Sequence, residues 1–212
     1  MLIGNDFDTE VGQLIVEKYL GRGKSGDSYL VNLNERNYVL KIMHDEKVGY
    51  YQWNKSKLTD EIKSYKTLSK LRVPIPKLHY ADFEKNFLIK DYINGNIASK
   101  IIAEKRITEL HIQKLFEISN HLKKHNINID YFPNNFVFTN KEIFYIDYEH
   151  NLFDKKWSLE NWGIYYWANS EGFKNFLKTG NPKFINSNLE KGIPPKKPFQ
   201  KIVRKWVSEY ST

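Results

Sequence analysis

The chain has 212 residues, 41% hydrophobic and 15% aromatic, with a net charge of +8 and no cysteine. That excludes a disordered chain, a disulfide framework and a thiolate metal site, and leaves one domain or two small lobes around a packed core. The charge favours anionic partners (nucleotide, nucleic acid, acidic membrane) without choosing among them, and a lysine- and asparagine-rich composition accounts for it equally well. The opening residues, "MLIGNDFDTE", are acidic and carry no apolar run, so no signal peptide is expected. No stretch approaches a membrane span, and a soluble cytoplasmic protein is the default.

The first informative stretch is "GRGKSGDSYL", residues 21 to 30. Gly23-Lys24-Ser25 resembles the end of a P-loop, but the glycine that pattern needs five residues earlier is Lys18. Gly21, Gly23 and Gly26 also form G-x-G-x-x-G. A P-loop and a dinucleotide-binding crossover both need a helix next. Instead, Tyr29, Val31 and Leu33 alternate, "NERN" supplies turn residues, and Tyr38 to Ile42 is a second apolar run. The spacing predicts a β-hairpin.

A helix is predicted from about Lys57 to Leu71, with Leu58, Ile62, Tyr65, Leu68 and Leu71 on one stripe and Glu61 beside it. "VPIPKLHYADFEKNFLIKDYI" then reads as two more strands, which makes five strands and one helix by residue 93. "NGN" at 94 to 96 is a turn and the expected boundary between residues 1–93 and 94–212. A second amphipathic helix runs from Thr108 to Lys124, with Ile112, Leu115, Phe116, Ile118 and Leu122 inward. Two short strands follow, "FVFT" and "IFYID". From about Ser158 the chain is helical, and its tryptophans and tyrosines at 157 to 167 read as core. Phe199, Ile202, Val203, Trp206 and Val207 share a face of a terminal helix that packs inward.

Several side chains have charge or chemistry worth tracking. Lys41 sits in the second hairpin strand, and Glu61 follows twenty residues later on a helix. Asp130 and Asn135 are spaced as D-x-x-x-x-N, and Asp147 ends an apolar run in "FYIDYEH". Each has a plainer reading. The glycines could make a strand-edge turn, Lys41 could be a solvated lysine, and Glu61 a surface carboxylate. Asp130 and Asn135 bracket a turn, where both residue types are common. Asp147 is harder to dismiss, because an aspartate ending a buried strand needs partners. The six histidines show no metal-ligand spacing.

Taken in order, these features resemble a compact member of the protein-kinase-like superfamily over roughly residues 14 to 165. "YIDYEH" is similar to the "IDYE" stretch of choline and aminoglycoside kinases, and "FLIKDYINGN" to the linker between lobes. The size and "WSLENWGIYYW" resemble small bacterial serine/threonine kinases. The resemblance implies an α+β, two-lobed fold with a five-stranded N-lobe sheet and a reduced, mainly helical C-lobe. Gly21, Gly23 and Gly26 would cover the phosphates of ATP, Lys41 fixed by Glu61 would bind them, and the backbone near Asp91 and Ile93 would hold adenine. Asn135 and Asp147 would bind Mg2+, and Asp130 would be the catalytic base. The implied activity is transfer of the γ-phosphate to a hydroxyl of a protein or, as the alternative, a small molecule. A nucleotide-binding pseudokinase is the rival, and no nucleic-acid reader motif is present. Some positions depart from the pattern. Asn128 and Ile129 replace the histidine and arginine of H-R-D, and Phe132 stands where a lysine or histidine is usual, though Pro133 matches. Too little chain separates Asp147 from Leu159 for an activation segment. Ser25 and Ser28 read as exposed hydroxyls in the glycine loop.

Overall fold

The structure, a computed structural model, describes residues 4–44 and 56–212. The chain forms two compact units, Met1–Thr67 with Ile75–Ile93 and Leu68–Pro74 with Asn94–Thr212.

The first unit is built on one antiparallel sheet. Its strands are β1 (Asp6–Thr9), β2 (Gly12–Arg22), β3 (Gly26–Leu33), β4 (Arg36–Met43), β5 (Leu78–Asp82) and β6 (Phe87–Asp91), in the spatial order β1-β2-β3-β4-β6-β5. Helix α1 (Lys57–Lys70) lies between β4 and β5 in the chain. The β3–β4 hairpin forms where its alternation predicts, with Leu33 paired to Arg36 across a two-residue loop. Asn34 and Glu35 both have positive φ, the conformation that matches the twist of such a hairpin. Inward-facing Leu14, Val16, Val31, Leu40, Phe87 and Ile89 make the core, and Phe7, Leu33 and Tyr38 pack against it.

The second unit holds two small sheets set among helices. Strand β7 (Asn96–Ile97) runs into α2 (Ala98–Ala103), followed by α3 (Glu109–Lys124) and β8 (Ile127–Asn128). Then come β9 (Phe136–Phe138), β10 (Ile143–Tyr145), β11 (Asn151–Leu152), α4 (Ile164–Trp167), α5 (Ser170–Thr179) and α6 (Gln200–Tyr210). Strands β10, β9 and β7 form one sheet, and β11 and β8 the other. The aromatic segment is core where its residues point inward, with Tyr166 and Trp167 buried. In α6, Val203 and Trp206 are the buried pair.

This corrects the architecture implied by the resemblance. The large sheet has six strands, and the rest of the chain carries sheets of three and two strands interleaved with helices. That is not a five-stranded lobe followed by a mainly helical one, and the protein-kinase-like fold is withdrawn. The sixth strand is β1, in the acidic opening segment, for which the sequence predicts no strand. A tight turn makes it possible: Thr9 Oγ1 donates to the Gly12 carbonyl at 2.7 Å, and Val11 N donates back to Thr9 Oγ1. Phe7 then packs edge-on against Phe87.

Helix α3 starts on a capping box. Thr108 Oγ1 accepts from His111 N, and His111 Nδ1 accepts from Thr108 N at 3.1 Å. A ring nitrogen that accepts is unprotonated, and burial correspondingly lowers the His111 pKa, with Lys114 and Arg106 adding to the shift. The folded state therefore binds fewer protons at this site than the unfolded chain. This contribution is present above the unfolded value of about 6.5 and is lost as pH falls below it. Urea midpoints measured at about pH 7.5 and about pH 5 should differ more in the wild type than in His111→Gln, whose amide oxygen accepts at both values. Equal differences would remove His111 as a cause.

Candidate functional site

In the first unit the site grows from the turn between β2 and β3. Gly23 N donates to the Gly26 carbonyl at 2.8 Å and His44 N to the Ser25 carbonyl at 3.1 Å, so the turn is fastened to the end of β4. The three glycines serve different ends. A Cβ on Gly26 would lie 2.3 Å from the Ile42 carbonyl oxygen, so the close strand approach requires glycine there. Gly21 has a φ of +149°, which side chains rarely adopt. Gly23 has neither constraint: its φ is not positive, and the nearest atom to an added Cβ is 3.5 Å away.

Lys41 lies on β4, an interior strand flanked by β3 and β6, and is only 5% exposed. Its ammonium is 2.5 Å from Glu61 Oε1, and Glu61 is equally buried at 5%. The solvated-lysine and surface-carboxylate readings are thereby excluded. Helix α1 is rotated from the stripe expected of it: its buried line is Leu58, Glu61, Ser64 and Leu68, while Ile62 and Tyr65 are half-buried. Ser25 is also buried, at 8%, rather than exposed, and its hydroxyl donates to the same Glu61 oxygen. Glu61 Oε2, buried as well, finds no hydrogen-bond partner among the described residues. One carboxylate oxygen thus ties the glycine turn to the lysine strand. Ser28 is half-buried on β3, opposite Lys41.

Asp91 ends β6. Its N–H donates to the Lys77 carbonyl at 2.9 Å, and its carboxylate takes His79 at 2.6 Å and Lys77 N at 3.2 Å. Ile93, just beyond, is half-buried. The Asp91 amide is therefore already engaged within the unit.

The other sequence-identified residues fall in the second unit and form one local cluster. The Asp130 carboxylate accepts from Phe132 N at 3.0 Å, closing a turn that leads into the short 3-10 segment Pro133–Asn135. Asn135 Nδ2 donates to the Asp130 carbonyl at 3.3 Å. Ile146 N donates to the Asn135 carbonyl at 2.8 Å, which extends the β9–β10 ladder and brings the segments carrying Asn135 and Asp147 side by side. Asp147 Oδ1 accepts from Tyr148 N at 3.0 Å. Tyr145, fully buried, donates its hydroxyl to the Glu149 carbonyl. Burial pushes its pKa well above 10, and the nearby Asp147, Glu149 and Asp130 charges push it further. No group of three or more His, Asp or Glu side chains among the described residues could hold a metal ion. The departures have structural uses: Asn128 Nδ2 donates to the Asp154 carbonyl, and Phe132 packs on Tyr166 and Phe173.

A scan of the sequence against protein-family models finds no match, and a search of curated proteins finds none either. With the topology differing from the fold it depends on, the expected activity is corrected too. ATP-dependent phosphate transfer to a hydroxyl, whether as a serine/threonine kinase or a small-molecule kinase, is withdrawn, and the pseudokinase reading goes with it. What the structure shows for Asp130 is the turn it closes. Sequence reasoning missed Ser25 as a partner of Glu61 and His44 as a neighbour of Gly23. The only local signal was their position at a turn and at a strand end.

Proposed function

We propose that the protein binds ATP and holds the nucleotide's phosphates on the first unit, over the glycine turn and Lys41. The observation that carries this is the Lys41–Glu61 pair, buried to 5% exposure on both sides and shared with Ser25 of the turn. A buried ion pair is weak as a stabilising device, because desolvation offsets most of the attraction. Glu61 orients the ammonium in advance, the arrangement an anion site needs. Gly23 supports the same reading: the fold does not need a glycine there, whereas close approach of a phosphate does. This is binding alone, with no phosphate transferred.

In the second unit, Asn135 and Asp147 are proposed to bind magnesium in their own right. A carboxylate and an amide oxygen, completed by water, are donors that magnesium accepts. Among the described residues no helix is long and apolar enough to cross a membrane. The cytoplasm is the proposed location, since ATP is present there and the chain has no cysteine.

Mg-ATP should raise the melting temperature, since a ligand specific to the folded state adds about 2.7 kcal/mol at a hundred times its Kd. Adenosine should shift it less. Gly23→Ala should melt within about 0.5 kcal/mol of wild type yet bind ATP roughly fivefold or more weakly, the effect of one badly placed methyl. Asp147→Asn should remove the magnesium-dependent part of the shift. No shift with millimolar Mg-ATP would end the proposal.

A further inference from the structure

We infer that His44 is the positioning residue of the glycine turn, held by Lys57 in the one tautomer that can reach Gly23. His44 directly follows β4, and its backbone N–H on the Ser25 carbonyl locks it beside the turn. Its ring makes two contacts of opposite demand. Nε2 is 3.2 Å from the Gly23 carbonyl oxygen, and Nδ1 is 3.2 Å from the Lys57 ammonium, which also donates to the His44 carbonyl at 2.5 Å. A carbonyl oxygen only accepts and an ammonium only donates. A neutral imidazole satisfies both in one way: Nε2–H donates to Gly23 and Nδ1 accepts from Lys57. The neighbours decide the tautomer.

The arrangement has a mechanical consequence. Lys57 and Glu61 are four residues apart on α1, one helical turn, so they lie on the same side of the helix. Glu61 holds Ser25, and Lys57 holds the ring that holds Gly23. Both flanks of Lys24 are thus fastened to one helix, in addition to the His44 N–H on the Ser25 carbonyl that fastens the turn to β4. Gly23 is the flank that the fold leaves sterically open, so its position is the one that His44 controls. The effect on ligand affinity rests on the ATP reading above; the positioning role does not.

The test uses the full chain labelled with 15N at histidine, with His44→Ala and His44→Gln as variants. In the wild type, the His44 signals should show a protonated Nε2 and an unprotonated, hydrogen-bonded Nδ1. The opposite tautomer, or an averaged pair, overturns the assignment. His44→Gln keeps an N–H donor at the end of its side chain, and His44→Ala has none. Exchange of the Gly23 amide hydrogen should therefore quicken roughly fivefold in His44→Ala, the worth of about one hydrogen bond, and return towards wild type in His44→Gln. The dissociation constant for Mg-ATP should follow the same order, weakest in His44→Ala and nearer wild type in His44→Gln. If the two variants behave alike, or neither departs from wild type, the ring contributes only bulk and the inference fails. If the wild type binds no ATP, the tautomer and exchange measurements still decide the positioning role, and it is the ATP reading that falls.

Discussion

Glu61→Leu should lower the stability of the first unit by about 3 to 5 kcal/mol, and adding Lys41→Met to it should restore most of the loss without restoring the proposed ATP binding. The single change leaves an ammonium at 5% exposure with its carboxylate gone, and it strips the Ser25 hydroxyl of its acceptor. Removing one member of a buried ion pair costs about 3 to 5 kcal/mol, whereas replacing both members by apolar side chains of similar volume is often neutral. A pair retained only for stability would show the same recovery in every property. A pair retained for a ligand shows recovery of the fold alone. The measurement is chemical denaturation followed by circular dichroism, with hydrogen exchange reporting on β4 and α1, beside titration with Mg-ATP. A double variant that remains as unstable as Glu61→Leu would show that the pair is chiefly structural. One that binds ATP like the wild type would separate Lys41 from the ligand.

The second large effect belongs to the other unit. Trp167→Ala should cost about 3 to 5 kcal/mol, as truncation of a fully buried indole does. Trp167 packs edge-on against Phe136 and Phe138, at centroid separations of 5.4 and 6.1 Å, and donates its indole N–H to the Tyr131 carbonyl at 2.9 Å. It therefore holds β9 and the Asp130 turn from the same side. Trp167→Phe should recover part of the packing but leave the buried Tyr131 carbonyl without its donor, a residual of about 1 to 3 kcal/mol. Because Asn135 immediately precedes β9, both variants should also loosen the segment carrying the proposed magnesium ligands, measurable as faster amide exchange at Phe136 to Phe138. A loss below about 1 kcal/mol for Trp167→Ala would mean that the aromatic cluster does not carry this unit.

The sheet shows where order along the chain misleads. Glycines, a strand lysine, a helix glutamate and a later aspartate occur in a familiar sequence, yet they sit on a six-stranded sheet and two small sheets whose pairing no motif specifies. A motif constrains a handful of positions. Topology depends on which strand edges find one another, and β1 joined the large sheet through a turn made by Thr9 and Gly12 in a segment that reads as polar.

The sequence by itself determined the elements whose causes are local. Alternation and a two-residue loop specify the β3–β4 hairpin, Thr108 marks the start of α3, and the spacing of Val203 and Trp206 orients α6. Only the tertiary structure decided which polar groups are buried. Ser25 and Glu61 are 36 residues apart, Lys41 and Glu61 are 20, and His44 and Gly23 are 21. The stripe of α1 likewise turned from Ile62 and Tyr65 towards Glu61 and Ser64. Apolar periodicity reports the face a helix can bury cheaply. It does not report that a lysine on a distant strand will make burying a carboxylate the better choice.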